Sequence, residues 1–301
     1  MGRLTAIVLG SAGGGGFPQW NCRCPVCRLA WAGDARVRPR TQASLAVSGD
    51  GEHWILVNAT PDLRAQLLAT PCLQPRTDLR GSPIAAVILT GAEVDQVAGL
   101  LTLRERQALN VLATKDTLAA LAANPIFGVL SADLVRRQEV ALGVRFPLPG
   151  NLAVELFTVP GKVALYLEGE APALAAETGA NVGVEIICGA RRLAYVPGAA
   201  GVPPVLRERL ARADVILFDA TLFTDEEMIA TGTGEKTGRR MGHMPLDGAD
   251  GTLAALAGLG GRRILTHINN TNPILIEGSP ERRQVEAAGF EVAADGMEIV
   301  L

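Results

Sequence analysis

Histidine is scarce in this chain: there are three in 301 residues. A metal site must therefore draw on carboxylates, thiolates or amides as well as imidazole. Cysteine is nearly as sparse. Five residues, Cys22, Cys24, Cys27, Cys72 and Cys188, are too few and too unevenly spaced for a disulfide scaffold at this length. No apolar run reaches the roughly 18–20 residues that a membrane helix needs. The short stretch Leu4–Leu9 ends at Gly10 and reads as a first strand, not as a signal peptide. Charge of one sign is also lacking. Lys and Arg total 28 against 31 Asp and Glu, a net charge of −3, which gives no electrostatic case for nucleic acid or an anionic membrane. These absences lead us to expect a soluble, cytoplasmic protein. Hydrophobic residues (48%) and charged residues (20%) are present in the proportions from which an ordinary core is built.

What is there begins with short β-branched apolar runs: 5–9, 54–57, 84–89, 153–159, 182–188, 193–196, 215–218 and 263–266. Most are bounded by Gly, Pro, Asn or Asp, the pattern of buried strands. Helical patterns fall between them at 62–68, 97–107, 115–122, 204–211, 225–230, 251–258 and 280–288, with Asp62, Asp116 and Ser279 as N-terminal caps or first-turn acids. Hairpin-like pairs alternate with strand–helix–strand units. That order argues for an α/β fold of two mixed sheets flanked by helices, and against an all-parallel Rossmann sheet. We expect one domain over residues 1–301. The stretches 168–180 and 231–242 read as mobile surface loops.

Cys22-Arg-Cys24-Pro-Val-Cys27 is the sharpest motif. Three soft ligands in six residues converge readily on one structural Zn²⁺ in a reducing compartment, with the fourth ligand coming from elsewhere in the chain. Cys72 and Cys188 lie among apolar residues and read as ordinary buried thiols. The Gly-rich segment 10–16 follows the first strand, but no helix comes after it, so the dinucleotide fingerprint is incomplete. A close-packed turn leading into the cysteines, able to wall a pocket, fits better. Glu93 and Asp95 stand where a strongly apolar strand gives way to a helix, and by themselves they also suit helix capping. Asp219 and His267 end later strands, and His243 sits in Gly-His-Met-Pro, which reads as just before a helix. Several such strand ends together suggest one functional edge of a sheet sandwich. His53 reads as structural or surface.

These motifs carry a family resemblance. Residues 9–27 (Leu-Gly-Ser-Ala-Gly-Gly-Gly-Gly-Phe-Pro-Gln-Trp-Asn-Cys-Arg-Cys-Pro-Val-Cys), with Asn58-Ala-Thr-Pro-Asp62, Gly242-His-Met-Pro245 and Thr266-His-Ile-Asn-Asn-Thr-Asn-Pro273, resemble the PqqB-like (coenzyme PQQ synthesis protein B) branch of the metallo-β-lactamase superfamily across the whole chain. The resemblance implies a metallo-β-lactamase-like αββα sandwich. Hydrolases of the superfamily carry a His-x-His-x-Asp-His segment where this chain reads Gly91-Ala-Glu93-Val-Asp95-Gln96. They carry a metal histidine where Lys162 follows Pro-Gly here. By this comparison a dinuclear zinc site is largely dismantled. What remains is an open site better suited to mononuclear Fe²⁺.

The resemblance implies an Fe(II)/O₂-dependent hydroxylase of the tyrosine ring in a cross-linked Glu–Tyr unit from a precursor peptide, within pyrroloquinoline quinone (PQQ) biosynthesis. Other PQQ biosynthesis proteins would be its partners. Asp95 and His267 would be iron ligands, with Glu93 and Asp219 close by, and His243 would assist. Because Gln96 stands where relatives have histidine, Asp219 or His243 would take the vacant place. Cys22, Cys24 and Cys27 would hold the structural zinc, with Asn270 or His243 as fourth ligand. The missing histidines leave two other expectations. One is a carrier, linked to transport, that binds PQQ or its precursor without turnover through Lys162 or Arg192. The other is a divergent metallohydrolase.

Overall fold

The structure, a computed structural model, describes residues 3–76 and 79–301. Six strands, β1 (Thr5–Gly10), β2 (Ser44–Ser48), β3 (Trp54–Val57), β4 (Ile84–Ile88), β5 (Leu109–Ala113) and β6 (Val135–Glu139), build most of one sheet. The second consists of β7 (Arg145–Leu148), β8 (Leu152–Thr158), β9 (Val182–Cys188), β10 (Arg191–Val196), β11 (Val215–Asp219), β12 (Arg262–Thr266) and β13 (Phe290–Val292). The last strand, β14 (Glu298–Val300), returns to the first sheet. The orders are β14-β1-β2-β3-β4-β5-β6 and β13-β12-β11-β10-β9-β8-β7. The two sheets share one pairing pattern: three antiparallel junctions, then three parallel ones, counted from β14 in the first sheet and from β7 in the second.

The expected mixed α/β sandwich is therefore present, and period-2 side-chain alternation explains it. Ala6 and Val8 of β1 enter the core between the sheets, where they meet residues such as Val184, Leu193 and Leu217. Ile7 and Leu9 point the other way, into an outer layer. Both faces are covered, so the strands read as unbroken apolar runs. The helices α1 (Pro25–Trp31), α2 (Leu63–Ala69), α3 (Val94–Val97), α4 (Lys115–Ala123), α5 (Pro204–Leu210), α6 (Glu227–Ala230), α7 (Thr252–Ala255) and α8 (Pro280–Ala287) are all short. Among the described residues, none is long and apolar enough to cross a membrane.

Three sequence expectations shift. The helix expected over 97–107 is the single turn α3 followed by a 3-10 segment, Ala98–Leu103, which ends where Arg104 begins a turn. The apolar periodicity there reflects packing beneath the first sheet, because Val97 and Leu100 belong to its outer core. Helix α1 was not expected, since Pro25 and the crowded cysteines mask its short period. Pro25 is at its N-terminus, where its missing N–H costs nothing, and Cys24 caps it by accepting from Cys27 N. His243 follows a 3-10 turn, Arg239–Met241, and does not open a helix; α7 begins nine residues later.

Candidate metal centres and their cavity

The carboxyl ends of β4, β8, β10, β11 and β12 open on one rim of the sandwich, the place where open α/β sheets usually bind ligands. Asp219 is the last residue of β11, and His267 directly follows β12. His267 adopts a left-handed backbone (φ 57°), an expensive conformation for a side-chain-bearing residue that clusters at functional sites. The Gly-rich loop after β1 closes against it: Gly13 N donates to Ile268 O, and Ile268 N to Ser11 O. A Cβ on Gly13 would lie 3.5 Å from the His267 ring, and one on Gly14 3.6 Å from Asp95 Oδ2. The loop is thus the pocket wall that the sequence suggested. The cavity, about 350 Å³, is bordered by Gly14, Asp95, Lys162, Arg240, His243 and His267.

Asp219, His243 and His267 bring their ligand atoms within 4.8 Å of one another. His243 Nδ1 is 2.6 Å from Asp219 Oδ2, and the two imidazoles stack at 5.3 Å. Thr221, which sequence reasoning missed, sits at the middle. Its hydroxyl donates to Asp219 Oδ1 at 2.7 Å and lies 3.0 Å and 2.9 Å from the Nδ1 atoms of His243 and His267. The only sequence signal for it was its place two residues beyond a strand-end Asp. Backbone amides of Ala199 and Thr221 also donate to the Asp219 carboxylate. Asp95 faces the opposite side of the same imidazole, with Oδ2 3.1 Å from His267 Nε2.

His267 is thus clamped between two aspartates. Burial works against its charged form, but Asp219 and Asp95 outweigh that and raise its pKa to about 10. For Asp219 and Asp95 burial likewise opposes charge, and the imidazoles hold both below the usual carboxylate range. Two nitrogens and a carboxylate oxygen on one side are the donor set of the two-His-one-carboxylate triad that suits non-haem Fe²⁺. The proton on His267 sits where such an ion would have to displace it.

Glu93 stands apart from this trio. Its Oε1 accepts from Lys162 Nζ at 3.0 Å and from Leu165 N. Gln96 is turned back onto the chain, where its Oε1 accepts from Glu93 N as half of a capping box. Position 91 has no room for a side chain, since a Cβ there would lie 2.6 Å from Gln96 Oε1 and 2.9 Å from Ala180 O. Arg192 lies outside the cavity; it stands at the start of β10, the end away from the rim, and pairs with Glu185 on the neighbouring strand. His53 is at an exposed turn, bonded to Asp50.

The cysteines form a second cluster, with Cys22, Cys24 and Cys27 Sγ atoms mutually within 4.8 Å. Asn270 supplies the fourth corner. Its Nδ2 lies 3.2, 3.8 and 3.3 Å from Cys22, Cys24 and Cys27 Sγ. His243, the other candidate for that place, belongs to the rim. Burial pushes the Cys24 thiol up to about 12 and raises Cys27 as well, so a cation bound among these sulfurs would have to displace their protons. Turning the Asn270 amide over, an ambiguity inherent in amide orientation, brings Oδ1 to the sulfurs as a neutral oxygen donor. The residues fit a tetrahedral zinc. Cys188 is buried, and Cys72 half-buried, in the cores.

Comparison with known proteins fits this architecture. The β-lactamase superfamily domain matches residues 53–268. Coenzyme PQQ synthesis protein B from Methylobacterium nodulans is 59% identical over 99% of this chain and 100% of its own length. The protein of the same name from Gluconacetobacter diazotrophicus is 53% identical, over 98% and 99%. The crystal structure of Zn²⁺-bound PqqB from Methylobacterium extorquens superposes with a TM-score of 0.97 at 55% identity, covering 99% of this chain and 100% of that one. A diphosphatase of the PhnP family shares the fold, with a TM-score of 0.67 at 22% identity over 99% and 97%. The chain belongs to the coenzyme PQQ synthesis protein B family of the β-lactamase superfamily.

Proposed function

We propose that the protein acts in PQQ biosynthesis as an iron-dependent hydroxylase of the tyrosine ring in a Glu–Tyr unit derived from the precursor peptide. The observation that carries this reading is the convergence of Asp219, His243 and His267, with both imidazoles lining the cavity and the carboxylate buried behind it. These three residues would hold Fe²⁺, and Asp95 would orient His267 from behind. When bound, the ion supplies an O₂-activating centre with open coordination positions. The chain's own part is to hold the Asp219 carboxylate through Thr221, to orient His267 through Asp95, and to wall the cavity with the Gly-rich loop. Cys22, Cys24, Cys27 and Asn270 would hold a structural zinc, a reading supported by the Zn²⁺-bound relative.

The test is anaerobic Fe(II) loading followed by O₂ consumption and product analysis with a Glu–Tyr dipeptide. The expected result is ring hydroxylation that requires iron and is lost in His267→Ala and His243→Ala. Equal absence of metal-dependent product in wild type and variants overturns the reading. A cation-lined cavity wall, with Lys162, Lys236 and Arg240, favours one alternative, a carrier. Tight binding of PQQ without turnover would select it.

A further inference from the structure

The cavity wall opposite the imidazoles carries a carboxylate of the chain itself, seated between two cations. Glu168 Oε1 lies 2.9 Å from Lys162 Nζ, and Glu168 Oε2 3.0 Å from Arg240 Nη2. The three come from separate places: the turn after β8, the start of the 168–180 loop, and the 3-10 turn preceding His243. Lys162 packs over Gly242, where a Cβ would lie 3.0 Å from its Cγ. The Glu168 side chain is only 8% exposed, and its hydrogen bond from Arg240 with the Lys162 ammonium beside it depresses its pKa to about 2, so it remains an anion.

The cation pair is not used up by this contact. Among the described residues Arg240 Nη1 is buried without any hydrogen-bond partner, an unspent donor beside the cavity. Lys236 adds a third positive side chain to the same lining. An ammonium and a guanidinium bridged by one carboxylate have the chemistry of a carboxylate-binding site. Here the occupant hangs on a surface loop next to the exposed apolar residues Leu165, Tyr166 and Leu167, of which Leu165 lines the cavity.

We propose that Lys162 and Arg240 form an anion subsite of this cavity that takes a carboxylate of an acidic aromatic substrate, and that Glu168 is its intramolecular occupant, displaced on binding. The nature of the substrate rests on the function proposed above; the subsite rests only on these contacts. An incoming carboxylate inherits both cations and gains Arg240 Nη1. The freed Glu168 returns to water with its loop. Specificity follows, because a neutral analogue offers nothing to replace Glu168.

Calorimetric titration of the full chain with benzene-1,3,5-tricarboxylate tests this, with the tricarboxamide as neutral control. Glu168→Gln is expected to tighten tricarboxylate binding several-fold. Arg240→Gln and Lys162→Gln are expected to weaken it about tenfold each, the size of one charge-assisted hydrogen bond. Arg240→Lys should retain part of the affinity, and thermal melting checks that each variant is folded. If Glu168→Gln weakens binding as Arg240→Gln does, Glu168 only orders its loop and the proposal fails. It fails too if the tricarboxamide binds equally well, or if no variant changes the affinity. Loss of hydroxylation with carboxylate binding intact sinks the hydroxylase alone; hydroxylation with unchanged affinity in every variant sinks the subsite alone.

Discussion

The two candidate metal centres lie close in the chain at one point, since Asn270 follows His267 by three residues, yet they solve the same electrostatic problem differently. The cysteine cluster gathers three thiols and an amide; burial drives Cys24 and Cys27 toward the protonated form. The rim cluster contains its own counter-charge, an imidazolium between Asp95 and Asp219. The first presents only thiol and amide donors, whereas the second pairs its imidazoles with carboxylates of its own. One segment serves both. His267 faces the cavity, Asn270 the cysteines, Thr271 donates to the buried Glu227, and Asn272 anchors on Ala220 and Thr221 carbonyls.

The largest way to break the comparison is Cys27→Ala. It should abolish zinc binding at the cysteines and lower stability by at least about 3 kcal/mol, roughly 5 °C in Tm for a chain of this length. Metal analysis with calorimetry checks it, and an unchanged Tm would mean that the cluster does not depend on a metal. His267→Ala should spare that zinc and weaken Fe(II) affinity by about 100-fold or more, as measured by anaerobic titration.

A pH series in chelator sharpens the contrast. The folded pKa of His267 is raised above its ordinary value, so its contribution to stability is complete below about 6.5 and is lost as pH rises toward about 10. Denaturant midpoints of metal-free protein should fall across that window, more steeply than those of His267→Gln. Fe(II) affinity should rise across the same window, because the ion replaces a proton. The smallest effect is expected for Thr221→Val, about 1–2 kcal/mol from lost hydrogen bonds. It should disturb Fe(II) binding and leave zinc content unchanged.

Legibility differed in the same way as chemistry. The eight apolar runs read as strands are all strands, because burial on both faces leaves a composition signal independent of partners. Strands β2, β5, β6, β7, β13 and β14 escaped notice. The charged β6 (Val-Arg-Arg-Gln-Glu) and the short edge strands β13 and β14 carry little apolar signal. Asp219 and His267 were recognisable as strand-end residues, and the cysteine triplet as a ligand set. Thr221, Glu168 and Arg240 were not, because each gains its meaning from contacts that no local pattern encodes.

By itself the sequence determined what is local: the thiol spacing, the alternating apolar faces that require two covered sheets, and the polar residues at strand ends. Tertiary structure decided the rest. It chose Asn270 over His243 at the cysteines, brought His267 to Asp95 across 172 positions of chain, and set Glu168 between Lys162 and Arg240. Spacing constrains neighbours through backbone geometry. Which distant side chains share a site is fixed only when the two sheets close on a common core and their strand ends meet at one rim.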